Sequence, residues 1–170
     1  DLVVVEENDG RKHPVGIVTD RDIVVEVVAA EVNPDALKVG DIMGPEVAEF
    51  ETALRGYCGA KHAIAVANGT DALQIALMAA GIGAGDGVLV PSFTYTATAE
   101  VILILGARPL FVDVDEHNFN IDLKSLATAH AAAVKRGERP RAIIAVDLFG
   151  MPADWRALND FADAHKLVLI

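Results

Sequence analysis

The feature that most constrains the fold is a regular alternation of short apolar segments and longer amphipathic segments from Pro45 to the last residue. The apolar segments predict strands, and the segments between them carry the periodicity of helices. The predicted helices are 46–57, 71–80, 94–105, 122–136 and 153–165, and the predicted strands are 63–67, 87–90, 109–113, 141–146 and 167–170. Apolar strands that alternate with helices form βαβ units, in which the strands run parallel. We therefore predict an open α/β fold with a mostly parallel sheet.

The charge and composition of the chain limit the classes of binding partner that we expect. The chain has 170 residues, with 25 acidic against 14 basic side chains and a formal net charge of −11. This balance lacks the positive footprint of proteins that bind nucleic acids or anionic membranes, so we expect neither partner. Apolar runs such as 101–105 and 142–146 are far shorter than a bilayer span. The one cysteine, Cys58, allows no internal disulfide and fits a reducing, cytoplasmic compartment.

The segment AIAVANGTDALQIAL (63–77) carries the most chemical information. A predicted strand ends there, the chain turns at Asn68-Gly69, and a helix begins at Thr70 or its neighbour. Gly69 lets the backbone approach a ligand closely because it has no Cβ. The N–H groups of Thr70, Asp71 and Ala72, with the Thr70 hydroxyl, would form an anion site at the positive end of the helix. A plain N-cap, in which Thr or Asp bonds to the first turn, explains the same pattern, and both interpretations stay open.

A second segment of interest is PSFTYTAT (91–98), which directly follows a predicted strand. Open α/β sheets bind ligands at this end of their strands. Phe93 and Tyr95 offer aromatic faces to a flat ring, although core packing is the favoured interpretation for Phe93. The glycines at 81–87 precede a strand rather than follow one, so they indicate a helix end and a turn, not a dinucleotide-binding loop.

From residue 44 to 170 the sequence resembles the N-terminal part of a DegT/DnrJ/StrS-type sugar aminotransferase. The resemblance rests on GPEVAEF, ANGTDALQIAL, VPSFTYTATAE and GARPLFVDVD, followed by FNID and VDLFGMPAD in the family's order and spacing. These proteins are fold type I enzymes that use pyridoxal phosphate and act on nucleotide-linked keto sugars. The resemblance therefore implies an incomplete large domain of such a transferase over 44–170.

The resemblance also implies roles for particular residues. Gly69, Thr70 and Asp71 would hold the phosphate of pyridoxal phosphate, and Tyr95 would stack on its pyridine ring. Asp147, in VDLFG, would lie at a strand end close to the cofactor. The implied substrates are a nucleotide-linked keto sugar and an amino donor such as glutamate, and the implied assembly is a homodimer.

The catalytic groups of the family are an aspartate just after the strand that begins at Leu167 and a later lysine that forms the Schiff base. The sequence stops at Ile170, before both, and none of its lysines has the family's position. We therefore assign no catalytic residue, interpret the chain as a fragment, and expect that it does not transaminate by itself. A sugar dehydratase of the same fold, with histidine in place of that lysine, is an alternative.

Residues 1–43 resemble the second half of a CBS motif, a small β-β-α unit. The match is HPVGIVTDRDI (13–23), which follows a strand at 2–5 and a turn at 8–10 and leads into a helix at 20–30. In this resemblance Thr19 would contact a nucleotide phosphate and Asp22 the ribose hydroxyls. A nucleotide-sensing regulatory module is thus a further alternative function. Only about half of one motif is present and its usual partner motif is not, so we favour a structural remnant and expect an artificial join near Gly44.

The remaining candidates favour structural interpretations. The five histidines lie too far apart in sequence for local metal-ligand spacing, so we expect no metal site. Trp155, on an amphipathic helix, is interpreted as core. Lys135, Arg136, Arg139 and Arg141 lie at and beyond a helix C-terminus, where the helix dipole favours positive charge, and a phosphate role for them is a second choice.

Overall fold

The computed structural model describes residues 2–8, 11–18 and 45–170. The predicted helix at 20–30 and the two nucleotide contacts of the CBS resemblance, Thr19 and Asp22, lie outside these residues. The artificial join expected near Gly44 also lies outside the described residues. The chain divides into two compact units, 1–67 and 68–170. Within the described residues, no helix has both the length and the apolar character that a membrane span requires.

The described residues of the first unit form a two-stranded antiparallel sheet and one helix. Strands β1 (Leu2–Asn8) and β2 (Arg11–Val18) pair along their whole length, with a register shift between Val4 and Val5. Helix α1 spans Pro45–Cys58, and a proline suits the first turn because its missing N–H needs no partner there. The strand predicted at 2–5, which here is part of a hairpin, and the helix predicted at 46–57 are confirmed. The assignment of the hairpin to a CBS motif stays a prediction.

The predicted strand at 63–67 is wrong. These residues form no strand, and the backbone N–H of Ala65 donates to the Glu51 carboxylate at 2.6 Å instead of to a neighbouring strand. The side chain of Ile64 is about half exposed. An apolar run indicates a strand only where a partner strand accepts its backbone bonds, and here a side chain from α1 takes that place.

The second unit is a four-stranded parallel sheet with helices between the strands. In chain order it contains α2 (Gly69–Ala79), β3 (Asp86–Pro91), α3 (Ala97–Ile104), β4 (Arg108–Val112), α4 (Leu123–Lys135), β5 (Arg139–Ile143), α5 (Trp155–His165) and β6 (Val168–Leu169). The strand order is β4-β3-β5-β6, and every pairing is parallel. The predicted α/β class is confirmed.

Two apolar layers cover the two faces of this sheet. Leu89 of β3 belongs to the layer under α4 and α5, whereas Val88 and Val90 belong to the layer under α2 and α3. The alternation follows from the two-residue period of a strand. Because helices cover both faces, β3 is buried along its whole length, as the strands of parallel sheets usually are.

A buried carboxylate stabilises the amino-terminal edge of the sheet. Asp86, at the start of β3, is only 4% exposed, accepts a hydrogen bond from the Gly83 N–H at 3.1 Å, and pairs with the Arg139 guanidinium of β5. Burial raises the pKa of the Asp86 carboxyl, but the Gly83 N–H and Arg139 outweigh it and hold the pKa below the ordinary value. Gly81, Gly83 and Gly85 form the helix end and turn that the sequence predicts, with Gly81 and Gly85 at positive φ, whereas Gly87 lies in β3.

Candidate functional site

The candidate site is a cavity of about 520 Å³ at the carboxyl edge of the parallel sheet. It lies between the start of α2 and the segments that follow β3 and β5, where open α/β folds bind their ligands. Its lining consists of Gly69, Thr70, Leu73, Thr94, Tyr95, Ala97, Thr98, Ile144, Ala145, Val146, Asp147 and Trp155. The structure thus brings together three of the four predicted cofactor contacts, Gly69, Thr70 and Tyr95, and Asp147, which the resemblance also places near the cofactor, lines the same cavity.

The first turn of α2 presents free backbone donors to this cavity. Asn68 caps the helix: its Oδ1 accepts from the N–H of Asp71 at 2.9 Å, and its backbone carbonyl accepts from the N–H of Ala72 at 3.1 Å. Among the described residues, the N–H groups of Gly69 and Thr70 have no partner. A helix start with two such donors is a ready anion site.

This arrangement differs in two respects from the expectation. The cap is Asn68 rather than Thr70 or Asp71, so the free donors are the N–H groups of Gly69 and Thr70 instead of those of Thr70, Asp71 and Ala72. Asp71 does not line the cavity, and its N–H and its carboxylate are both bonded to Asn68, the latter at 3.0 Å. A direct contact between Asp71 and a ligand stays a prediction.

Space around Gly69 keeps the anion site open. A Cβ built at Gly69 would meet no atom within 4 Å. Thr70, the next residue, is half-buried, and its hydroxyl makes no hydrogen bond within the described part of the chain. Two backbone N–H groups and one hydroxyl are therefore free to bind the same anion.

The opposite side of the cavity is formed by the segment after β3. Ser92 donates its N–H to the Val112 carbonyl at 2.8 Å, and the hydroxyls of Thr94 and the buried Thr98 lie 3.3 Å apart. These bonds fix the segment on both sides of Tyr95, whose ring is exposed. An anchored backbone with a solvent-facing phenol is suited to stacking on a flat ring.

The prediction that Phe93 packs in the core is wrong. Its side chain is 50% exposed and contacts Phe119 at 5.6 Å between ring centroids, and Phe119 in turn contacts Phe149 at 6.3 Å. Each of these rings belongs to a segment that follows a strand. Phe93 lies beyond the end of β3, past the region that the helices cover.

The prediction that Trp155 is a core residue is also wrong. Trp155 is 37% exposed and lines the cavity, and its indole Nε1–H donates to Asp147 Oδ1 at 3.0 Å. The helical periodicity placed Trp155 on the buried face of its helix. Trp155 is, however, the first residue of α5, and this end of the helix borders the cavity. An aspartate and a tryptophan eight residues apart give no periodic signal, so the sequence analysis missed this pair.

Charged side chains elsewhere do not form a second candidate site. No group of three or more His, Cys, Asp or Glu suited to a metal ion occurs in the described ranges. A larger cavity, of about 730 Å³, lies at the amino edge of the sheet. Its arginines are paired with acidic neighbours: Arg108 and Arg136 with Glu138, and Arg139 with Asp86. These pairs disfavour the phosphate role considered for Arg136 and Arg139.

The comparisons with known proteins agree on one family. A model of the DegT/DnrJ/EryC1/StrS aminotransferase family matches residues 29–170. The UDP-2-acetamido-2-deoxy-3-oxo-D-glucuronate aminotransferase of Pseudomonas aeruginosa is 46% identical over 129 residues, which are 76% of this chain and 34% of that protein. The chain thus spans about a third of the length of that relative.

Solved structures agree. A DegT DnrJ EryC1 StrS aminotransferase from Brucella abortus has a TM-score of 0.72 and 46% identity, with 88% of this chain and 38% of that one covered. NtdA from Bacillus subtilis with bound cofactor PMP has a TM-score of 0.69 and 26% identity, with 89% and 33% covered. Since the family model matches well over half of the sequence, the chain belongs to the DegT/DnrJ/EryC1/StrS aminotransferase family.

Proposed function

We propose that residues 44–170 are the cofactor-binding part of a pyridoxal-phosphate-dependent aminotransferase that acts on a nucleotide-linked keto sugar. The observation that carries this proposal is that the N–H groups of Gly69 and Thr70 have no partner within the described residues, and that both residues line the same cavity as Tyr95. An anion site and an aromatic face in one cavity match the two ends of pyridoxal phosphate, a phosphate monoester on a flat ring.

The phosphate end would bind at the start of α2. Two backbone N–H groups and the Thr70 hydroxyl supply three donors, and the dipole of the eleven-residue helix adds its positive end. The absence of a Cβ at Gly69 leaves room for phosphate oxygens to approach the backbone. The residues present therefore fit the group, and Asp71 supports it indirectly by fixing Asn68 in place.

The ring end would lie between the segment after β3 and the start of α5. Tyr95 offers a phenol face, and Trp155 forms part of the lining beside Asp147. When bound, pyridoxal phosphate supplies an electron sink for carbon atoms attached to the substrate nitrogen. The role of the described residues is to bind that cofactor and to orient its plane.

The substrate part of the proposal rests on the relatives. The Pseudomonas aeruginosa relative is named for a UDP-linked oxo sugar, and we extend that class, a nucleotide-linked keto sugar, to this chain. We further propose an amino donor such as glutamate, a homodimeric assembly and a cytoplasmic location. Among the described residues, no lysine lines the cavity. We accordingly propose that the 170 residues bind the cofactor but do not transfer an amino group by themselves.

Binding of pyridoxamine phosphate tests the proposal, because its amine cannot react with surface lysines. We expect saturable binding to the chain, much weaker binding of pyridoxamine, which lacks the phosphate, and weaker binding by Thr70→Ala. The loss for Thr70→Ala should be about 1.5–3 kcal/mol, the size of a hydrogen bond to a charged group.

The matched control is Thr128→Ala, which removes a hydroxyl that bonds to the Lys124 carbonyl on α4, outside the cavity. It should bind pyridoxamine phosphate like the wild type. Equal affinity of Thr70→Ala and Thr128→Ala would remove the start of α2 from the binding site, and equal binding of pyridoxamine and its phosphate would refute the anion site.

A further inference from the structure

Residues 147–155, the loop that leads from the region after β5 to the first residue of α5, contribute both of their ends to the cavity. Asp147 and Trp155 line it, whereas the residues between them make the short turn Leu148–Gly150 outside it. The relation between the two ends therefore determines the shape of this side of the cavity.

A single carboxylate oxygen closes this loop. Asp147 Oδ1 accepts hydrogen bonds from the Ala153 backbone N–H at 2.9 Å and from the Trp155 indole Nε1–H at 3.0 Å. The first bond sets the path of the backbone into α5. The second restrains the indole, which has no other polar atom, in one orientation. Hydrogen bonds to an ionised acceptor are among the strongest in proteins, so one side chain has a large influence on the position of Trp155.

A second side chain holds the turn of the same loop. Asn120 is almost fully buried, donates Nδ2–H to the Met151 carbonyl at 2.9 Å, and accepts from the Leu148 N–H at 3.2 Å. Between these two bonds, Phe149 has φ 54°, in the left-handed region that disfavours residues with a Cβ. Such a conformation persists where its surroundings impose it, which indicates a loop held in one shape.

We propose that Asp147 is a positioning residue that holds Trp155 as a fixed wall of the cavity, so that the flat ring of the ligand binds against a preorganised surface. The inference rests on the proposed function for the identity of the ligand, but the positioning itself does not depend on any ligand. Asp147 thereby acts through Trp155, and no transfer step is assigned to it.

Trp155 reports on its own position because it is the only tryptophan of the chain. The test compares Asp147→Ala with Asp154→Ala, a matched control that removes a neighbouring carboxylate. Asp154 caps α5 by accepting from the Ala157 N–H at 3.1 Å and does not line the cavity. Without ligand, quenching of Trp155 fluorescence by acrylamide should increase in Asp147→Ala and should increase much less in Asp154→Ala, which removes only the helix cap.

With pyridoxamine phosphate as the probe, Asp147→Ala should bind about fivefold to twentyfold more weakly, the effect of losing one strong hydrogen bond that orders the site. Asp147→Asn, which keeps an acceptor oxygen, should recover part of both effects, and it serves as the test variant if the alanine variant does not fold. Unchanged quenching in Asp147→Ala, or the same increase in Asp154→Ala, would overturn the positioning role. If quenching changes as expected while the wild type binds no pyridoxamine phosphate, the proposed function fails and the positioning of Trp155 stands.

Discussion

Removal of the buried carboxylate at the amino edge of the sheet should destabilise the protein far more than removal of an exposed ion pair beside it. Asp86→Ala deletes the acceptor of the Gly83 N–H and of the Arg139 guanidinium. A hydrogen bond to a charged group contributes about 1.5–3 kcal/mol. The ion pair itself adds only about 0–1 kcal/mol, since the Arg139 side chain is 63% exposed and hydrated. We therefore expect a loss of about 2–4 kcal/mol in the free energy of unfolding.

The pH dependence of this loss has a definite sign. The pKa of Asp86 is lowered in the folded protein because the Gly83 N–H and Arg139 outweigh the effect of burial. A lowered pKa means that the unfolded chain binds protons first as the pH falls, so the stabilisation is present above the unfolded pKa and is lost in acid. The difference between wild type and Asp86→Ala should be full at pH 7 and should shrink below about pH 4.

Urea unfolding at several pH values measures both effects. The control is Arg108→Ala: Arg108 is 71% exposed, and its partner Glu138 keeps a second arginine, Arg136. That variant should lose less than about 1 kcal/mol. Equal losses for Asp86→Ala and Arg108→Ala, or a difference from wild type that does not shrink in acid, would refute the reasoning.

Two further predictions concern the packing and the pH response of the same sheet unit. Gly87→Ala should lower the free energy of unfolding by about 1–3 kcal/mol, because the new Cβ would lie 2.6 Å from Cδ1 of the buried Leu110. Gly69→Ala has open space around its Cβ, so it should leave the midpoint of urea unfolding nearly unchanged. Similar midpoints for the two variants would contradict this. Burial, and then the charge of His165 at 4.2 Å between ring centroids, lowers the pKa of His130. The free energy of unfolding should therefore decline as the pH falls below about 6.5, and His130→Gln should show a smaller decline. An identical decline in both proteins would contradict the assignment of this pH response to His130.

The parallel sheet was predictable from sequence because its signals are local. Every predicted helix and strand after residue 68 is present with ends that differ by a few residues, and β3 is buried along its whole length because both of its faces are covered. The strand expected at 63–67 failed for a non-local reason: the Ala65 N–H has a side-chain partner instead of a strand. No periodic pattern contains that information.

The candidate site was predictable in part. Gly69, Thr70 and Tyr95 were assigned to it, and they do line one cavity, since the ends of parallel strands meet at one edge. The bond between Asp147 and Trp155 was not predictable, because it depends on the path of a loop. The choice of Asn68 as the cap depends equally on local geometry, and it decides which N–H groups stay free.

The most direct test of the account follows the backbone amide resonances of the ¹⁵N-labelled chain by NMR as pyridoxamine phosphate is added. We predict that the largest shifts occur at Gly69 and Thr70, whose N–H groups have no partner in the part of the chain that the structure describes. Asp71 and Ala72, already bonded to Asn68, should shift less. The largest shifts at the amino-edge cavity instead, or no shift at Gly69 and Thr70 on saturation, would contradict binding of the phosphate at the start of α2.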